Sequence, residues 1–324
     1  MNQNPHPTTG EDAAALAARR TRKRYLRKHH PKGWRKTLRD LRYRLEYLGF
    51  LGVRGLLRML GLEQSSRLSG AIWRHIAPHT SRHTRALRHL ALAFPEKSDA
   101  ERETIARSMW DNLGQVMGEA LLLDHIIADP DRVRLADEQA LEPIHRTGGQ
   151  GVVVSMHYGN WELVSCPAGA QGFKLAGAYQ RVLNPLIEQA VIKMRQPIYF
   201  GGLHSKGTGA AGRLMDWVRE GNLIGVLADQ RHVRGIDVPF FGHPAPSNTF
   251  PAMVARHLGV PLLAARTLRG EKVHFEVEAV EIPVPQTDDK DADIAAATAA
   301  IHATFERWIR ERPDQWMWAH RRWG

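Results

Sequence analysis

Gly151-Val152-Val153-Val154-Ser155-Met156-His157-Tyr158-Gly159-Asn160-Trp161-Glu162 is the stretch around which the chain can be organised. Its apolar, β-branched start reads as a buried strand. The run stops at His157, and Asn160 stands where a helix needs a cap. Trp161-Glu162-Leu163-Val164 then continue as that helix. His157 is therefore expected at the carboxyl end of a strand, where α/β sheets carry their sites. Histidine exchanges protons near neutral pH, and a carboxylate on its far nitrogen sets the tautomer. The spacing lets Glu162 turn back toward the ring and supply that carboxylate. A bland alternative is a packed strand-end histidine with an unrelated acid nearby, and spacing alone leaves both open.

Outward from this stretch the pattern is α/β. Strands are expected at Val152–Met156, Leu175–Tyr179, Leu223–Ala228, Val260–Leu268 and Val273–Ile282, with a weak one at Arg132–Leu135. Helices are expected at Trp161–Ala170, Pro185–Arg195, Gly209–Glu220, Asn248–Leu258 and Ala292–Arg312. Alternation of this kind predicts a mostly parallel central sheet flanked by helices. Upstream, residues 65–127 read as helical, with Ser98-Asp99-Ala100-Glu101 as a capping box.

Charge is concentrated at one end. Residues 1–60 hold fifteen Lys/Arg against four acids, which accounts for the whole net charge of +11. Such an end suits anionic lipid, nucleic acid or an acidic partner. Leu41, Leu45, Leu48, Gly52, Leu56 and Met59 form one helical stripe, interrupted on its flanks by Arg42, Arg44, Arg54 and Arg58. Its uncharged runs are far below the roughly 18 residues of a spanning helix. The reading is an interfacial helix behind a basic anchor, with an ordinary core-facing helix as the alternative. The chain divides into a basic, disordered extension (1–40), a helical membrane-associating region (41–130) and an α/β domain (131–324). No secretory leader is expected. The single cysteine, Cys166, forms no internal disulfide and reads as a buried small residue.

Two further strand ends add polar groups. Arg181 follows the strand ending at Tyr179 and suits a phosphate or an oxyanion. Asp229, after Leu227-Ala228, could orient the site's backbone or a basic neighbour. Phe240 and Phe241 either line an acyl-chain groove or tie down their own loop. Trp316 and Trp318 lean to the core, with Arg321 and Arg322 facing an anionic ligand. Asp229, His232 and His243 show no metal-ligand spacing, and no metal is expected.

Taken together, His157-Tyr158-Gly159-Asn160-Trp161-Glu162, Tyr179 to Pro185, Ala228-Asp229-Gln230 with Phe240-Phe241-Gly242, and Pro313 to Arg322 resemble the lipid A biosynthesis acyltransferase family. The segment Leu87 to Pro95 resembles its entry region. The likeness spans roughly residues 41–324. It implies a glycerolipid-acyltransferase-like α/β fold. It implies O-acyl transfer from acyl carrier protein, as co-substrate and without a cofactor, to a hydroxyl of a lipid A precursor. The implied place is the cytoplasmic face of the inner membrane. The implied partners are acyl carrier protein, the lipid A precursor and an anionic membrane surface, with no nucleic acid. The catalytic pair is then His157 and Glu162, and the substrate-binding set Arg181, Asn184, Asp229, Gln230 and Arg231. Family members usually carry an apolar N-terminal anchor, and this chain departs there. An acyl-thioesterase or lipid hydrolase using the same pair, and a non-catalytic binder of anionic lipid or nucleic acid, are the rival readings.

Overall fold

Strand β2 (Gly151–Ser155) is buried along its whole length and forms the middle of the molecule. The structure, a computed structural model, describes residues 33–205 and 209–323. Its sheet has seven strands in the order β1-β9-β8-β2-β5-β3-β4. These are β1 (Val133–Leu135), β2, β3 (Leu175–Tyr179), β4 (Leu203–Ser205), β5 (Leu223–Leu227), β8 (Leu262–Arg269) and β9 (Phe275–Glu281). Every pairing is parallel except β8 with β9. Strands buried on both faces need continuous apolar runs, which is how β2 reads. Two pieces went unforeseen: the three-residue edge strand β4, and a separate hairpin of β6 (Ile236–Phe240) and β7 (His243–Ser247).

The helices of the described chain are α1 (Trp34–Leu60), α2 (Leu62–Ile76), α3 (Ser81–Ala93), α4 (Asp99–Ala120), α5 (Leu123–Ile127), α6 (Glu142–Arg146), α7 (Cys166–Ala170), α8 (Pro185–Arg195), α9 (Ala210–Arg219), α10 (Phe250–Leu258) and α11 (Lys290–Glu311). The capping box of α4 is present, with Ser98 and Glu101 bonded reciprocally. The helix expected over Trp161–Ala170 is broken: Trp161–Leu163 is a single 3₁₀ turn, and α7 begins only at Cys166.

Helices α2 and α4 cross closely because small residues face each other. A Cβ on Gly114 would lie 2.6 Å from the Ser69 carbonyl oxygen, and one on Gly118 2.9 Å from the Ser69 side chain. That approach sets the Ser66 hydroxyl against Glu119.

Helix α1 begins at Trp34, inside the expected extension; residues 1–32 lie outside the described residues. Its stripe faces outward: Trp34, Leu38, Leu41, Leu45, Leu48, Leu56 and Met59 are all exposed, Met59 at 88%. On the other side Arg54 donates to the Leu121 carbonyl (3.0 Å), and Arg54 and Arg58 both pair with Asp124. Two of the expected membrane arginines are thus spent fastening α1 to the corner between α4 and α5. No helix among the described residues is long and apolar enough to cross a membrane.

Candidate active site

The register of two neighbouring strands builds the site. Strand β2 runs parallel to β5 with Ser155 opposite Leu227. Two residues further on, each chain leaves the sheet, and His157 meets Asp229. The Nδ1–H of His157 donates to Asp229 Oδ1 at 2.8 Å, and the His157 backbone N–H donates to Oδ2 at 3.0 Å. Trp316 Nε1–H donates to Oδ2 at 2.9 Å. Asp229 is fully buried. Burial opposes its ionisation, but the His157 charge and hydrogen bonds, with His320 near, outweigh burial and hold the carboxyl well below the usual carboxylate range.

With Nδ1 carrying the proton, Nε2 keeps its lone pair. The Gln230 amide nitrogen lies 3.4 Å from Nε2, on an exposed side chain. The imidazole retains 15% of its surface exposed. Its ring lies 5.1 Å from that of Trp161 and 6.4 Å from that of His320. Burial pushes His320 down to about 4, so a neutral ring stands beside the pair at neutral pH.

The carboxylate expected on His157 is therefore a different one. Glu162 is buried and ion-paired with Arg195 Nη2 at 2.5 Å. The physical reason is the short turn: a 3₁₀ segment capped by Asn160 does not bring Glu162 back over the ring as a regular helix was expected to. Nothing in the sequence around Arg195, at the end of α8, points to this contact.

The substrate-binding set separates. Arg181 and Arg231 are exposed, Arg181 standing 3.8 Å from Glu188. Asn184 is buried and its polar atoms are used: Oδ1 caps α8 at Leu186, and Nδ2 donates to the Tyr43 carbonyl and to Glu46, each at 2.9 Å. It fastens α8 to α1 rather than presenting itself to a ligand. Phe240 and Phe241 line no groove. Phe241 and Gly242 form the β6–β7 turn with φ of 52° and 74°, which directs both rings into a packed aromatic cluster. Phe240 lies 5.7 Å from Trp316 and 5.6 Å from Trp323, and Phe241 5.6 Å from Phe94. The alternative of a loop held by its own aromatics describes this segment. Arg322 is likewise buried, donating to the Pro246 carbonyl and to Ser247 Oγ and stacked over Phe240. Arg321 is exposed. Trp316 and Trp318 are in the core. Burial pushes the Cys166 thiol up to about 12, so it holds no thiolate at neutral pH. Among the described residues no group of three His, Cys, Asp or Glu side chains is arranged to hold a metal.

A histidine held by a buried Asp at the carboxyl edge of a parallel sheet is an arrangement able to do general-base chemistry in this protein. Comparison with known proteins identifies its class. The profile of the family "Bacterial lipid A biosynthesis acyltransferase" matches residues 32–324. The chain belongs to that family, and it is an acyltransferase. It is 28% identical over 303 residues to the lipid A biosynthesis myristoyltransferase of Escherichia coli (strain K12), covering 87% of this chain and 88% of that protein. It is also 28% identical over 251 residues to lipid A biosynthesis acyltransferase 2 of Shigella flexneri, covering 72% and 75%.

Proposed function

We propose that this protein transfers a fatty acyl group from acyl carrier protein to a hydroxyl of a lipid A precursor, at the cytoplasmic face of the inner membrane. The observation that carries the mechanism is the 2.8 Å bond between His157 and the buried Asp229. His157 Nε2 takes the proton of the acceptor hydroxyl. The alkoxide oxygen attacks the thioester carbonyl carbon and forms a tetrahedral intermediate. As that collapses, the carbon–sulfur bond breaks, and the imidazolium returns its proton to the departing thiolate. Asp229 holds the proton-bearing Nδ1 and stabilises the charge that develops on the ring. Base catalysis of this kind contributes about 10²–10⁴-fold. Arg181 and Arg231, exposed beside the strand ends, are the cations available to an acceptor phosphate or to an acidic carrier.

The exposed stripe of α1 supports a place on the membrane. It is apolar along its length, and Arg35, Lys36, Arg42 and Arg44 are exposed around it. Each cation near an anionic leaflet adds about 1 kcal/mol. Through Asn184, α1 lies against the start of α8, beyond the carboxyl end of β3, where Leu183 is 76% exposed. A helix lying flat in the interface there keeps a lipid acceptor beside the site.

The test is product analysis. The purified protein is incubated with acyl carrier protein thioester, with and without lipid A precursor, and the lipids are read by mass spectrometry. An acylated precursor supports the reading. Free fatty acid at equal rate in both arms would make the protein a thioesterase instead.

A further inference from the structure

Glu119, in the last turn of α4, is a fully buried carboxylate. A buried ion pair is weak grounds for stability, since apolar replacements often serve as well. Its partners suggest another use. Oε1 accepts from Ser66 Oγ and from Arg269 Nη1, each at 2.6 Å. Oε2 accepts from Arg269 Nη2 at 2.9 Å and from Asn160 Nδ2 at 2.8 Å. The last contact reaches into the turn that follows His157. Asn160 Oδ1 in turn accepts the Glu162 backbone N–H.

Arg269 reaches the same turn by a second route. Its Nε donates to Asn112 Oδ1 at 2.9 Å, and Asn112 Nδ2 donates to the Gly159 carbonyl at 3.3 Å. Its backbone N–H donates to Gln315 Oε1, and the Gly159 N–H donates to the Gln315 carbonyl at 3.0 Å. The turn is also pressed from behind: a Cβ on Gly159 would lie 1.8 Å from the Thr267 carbonyl oxygen. The backbone of residues 157–160 is thus held between the helical layer, β8 and the closing segment.

We propose that Glu119 and Arg269 are positioning residues for acyl transfer: the pair clamps the Gly159–Asn160 turn, through Asn160 and Asn112, so that His157 stays seated on Asp229. Neither residue touches the reacting atoms. The clamp rests on the functional reading above. It matters because misplacement of a catalytic group by about 1 Å can cost about 10²-fold.

The experiment uses the full chain and three variants: Glu119→Gln, Asn160→Ala, and the swap Glu119→Gln/Asn160→Asp. The swap keeps one carboxylate and one amide in contact and leaves the cluster's net charge unchanged. Two readouts are taken. The first is kcat and KM for the lipid acceptor, per folded molecule. The second, free of substrate, is backbone amide exchange in peptides covering 157–163 and, as reference, 223–227.

Glu119→Gln and Asn160→Ala are expected to lower kcat by about 10- to 100-fold with KM within about threefold. Amide exchange should rise in 157–163 and not in 223–227, and the swap should recover kcat to within about fivefold. Unchanged kcat and unchanged exchange in Asn160→Ala would overturn the proposal. So would exchange that rises equally in both peptides with no recovery in the swap. Should Glu119→Gln fail to fold, Asn160→Ala decides alone, since it leaves the ion pair intact. A wild-type protein that acylates no acceptor would end the functional reading, while the exchange data would still decide the clamp.

Discussion

Replacing Asp229 by Asn removes one charge while keeping the shape of the side chain. In the structure that carboxylate accepts three hydrogen bonds, from the His157 ring, the His157 backbone and Trp316. An amide offers one oxygen and two N–H donors, so at least one of the three donors loses its acceptor. The ring bond matters most. A hydrogen bond to a charged group contributes about 1.5–3 kcal/mol, which at about 1.36 kcal/mol per decade is about 10- to 100-fold in rate. An amide N–H turned toward Nδ1 also moves the ring proton to Nε2, the atom that must act as base. The expected loss in kcat is between about 10²- and 10⁴-fold, the ceiling set by base catalysis itself. KM should hardly move, because Asp229 is fully buried and meets no substrate. The assay is steady-state acyl transfer on protein shown folded by circular dichroism, with the His157 tautomer read from ¹⁵N chemical shifts. A variant within about threefold of wild type, its proton still on Nδ1, would refute the reasoning.

Glu162→Gln and Arg195→Met each break the 2.5 Å ion pair between buried Glu162 and half-buried Arg195, at a cost of about 1.5–3 kcal/mol; the double variant should lose less than the two together, as measured by a cycle of chemical denaturations. Phe240→Ala should destabilise the fold by about 3–5 kcal/mol, because its ring fills the aromatic cluster, while the acyl-chain preference of the remaining folded enzyme, read with thioesters of different length, stays unchanged. Burial, reinforced by the Arg322 charge, pushes His302 down to about 4. The unfolded chain takes up a proton there below about 6.5, so stability is complete above that pH and falls as pH drops toward about 4, by roughly 3 kcal/mol in all. His302→Phe should remove about one proton from the slope of stability against pH, followed by urea denaturation at stepped pH.

Much of this molecule could be read locally. The apolar run of β2, the Asn184–Pro185 start of α8 and the Ser98–Glu101 capping box are signals carried by neighbouring residues, and each element lies where it was expected. His157 was legible for the same reason, since a strand end and a following turn need no knowledge of the rest of the chain. Its carboxylate partner was legible only as Asp229, a group able to orient the site's backbone or a basic neighbour, and it holds both the His157 backbone and the His157 ring. Glu162 is close in sequence, whereas Asp229 becomes a neighbour only when β5 pairs beside β2 in parallel register. Strand order is a long-range property, and the order here is not sequential. The strand ends Met156-His157 and Ala228-Asp229 are each recognisable, but nothing local says that they adjoin. The hairpin carrying Phe240 was hidden by its chemistry. Pro239, Pro244 and Pro246 argue against strands, and its turn places Phe241, not an Asn or Asp, at positive φ. Glu119 and Arg269 lie in different layers, so their meeting depends on how α4 is set against β8.

The central claim is that His157 is the base, presented to the acceptor hydroxyl by Asp229. Its most direct measurement is the rate of acyl transfer to the lipid acceptor by His157→Gln, corrected for the fraction folded. A fall of about 10²–10⁴-fold with acceptor binding retained is the predicted result. Turnover close to that of the wild-type protein would contradict it.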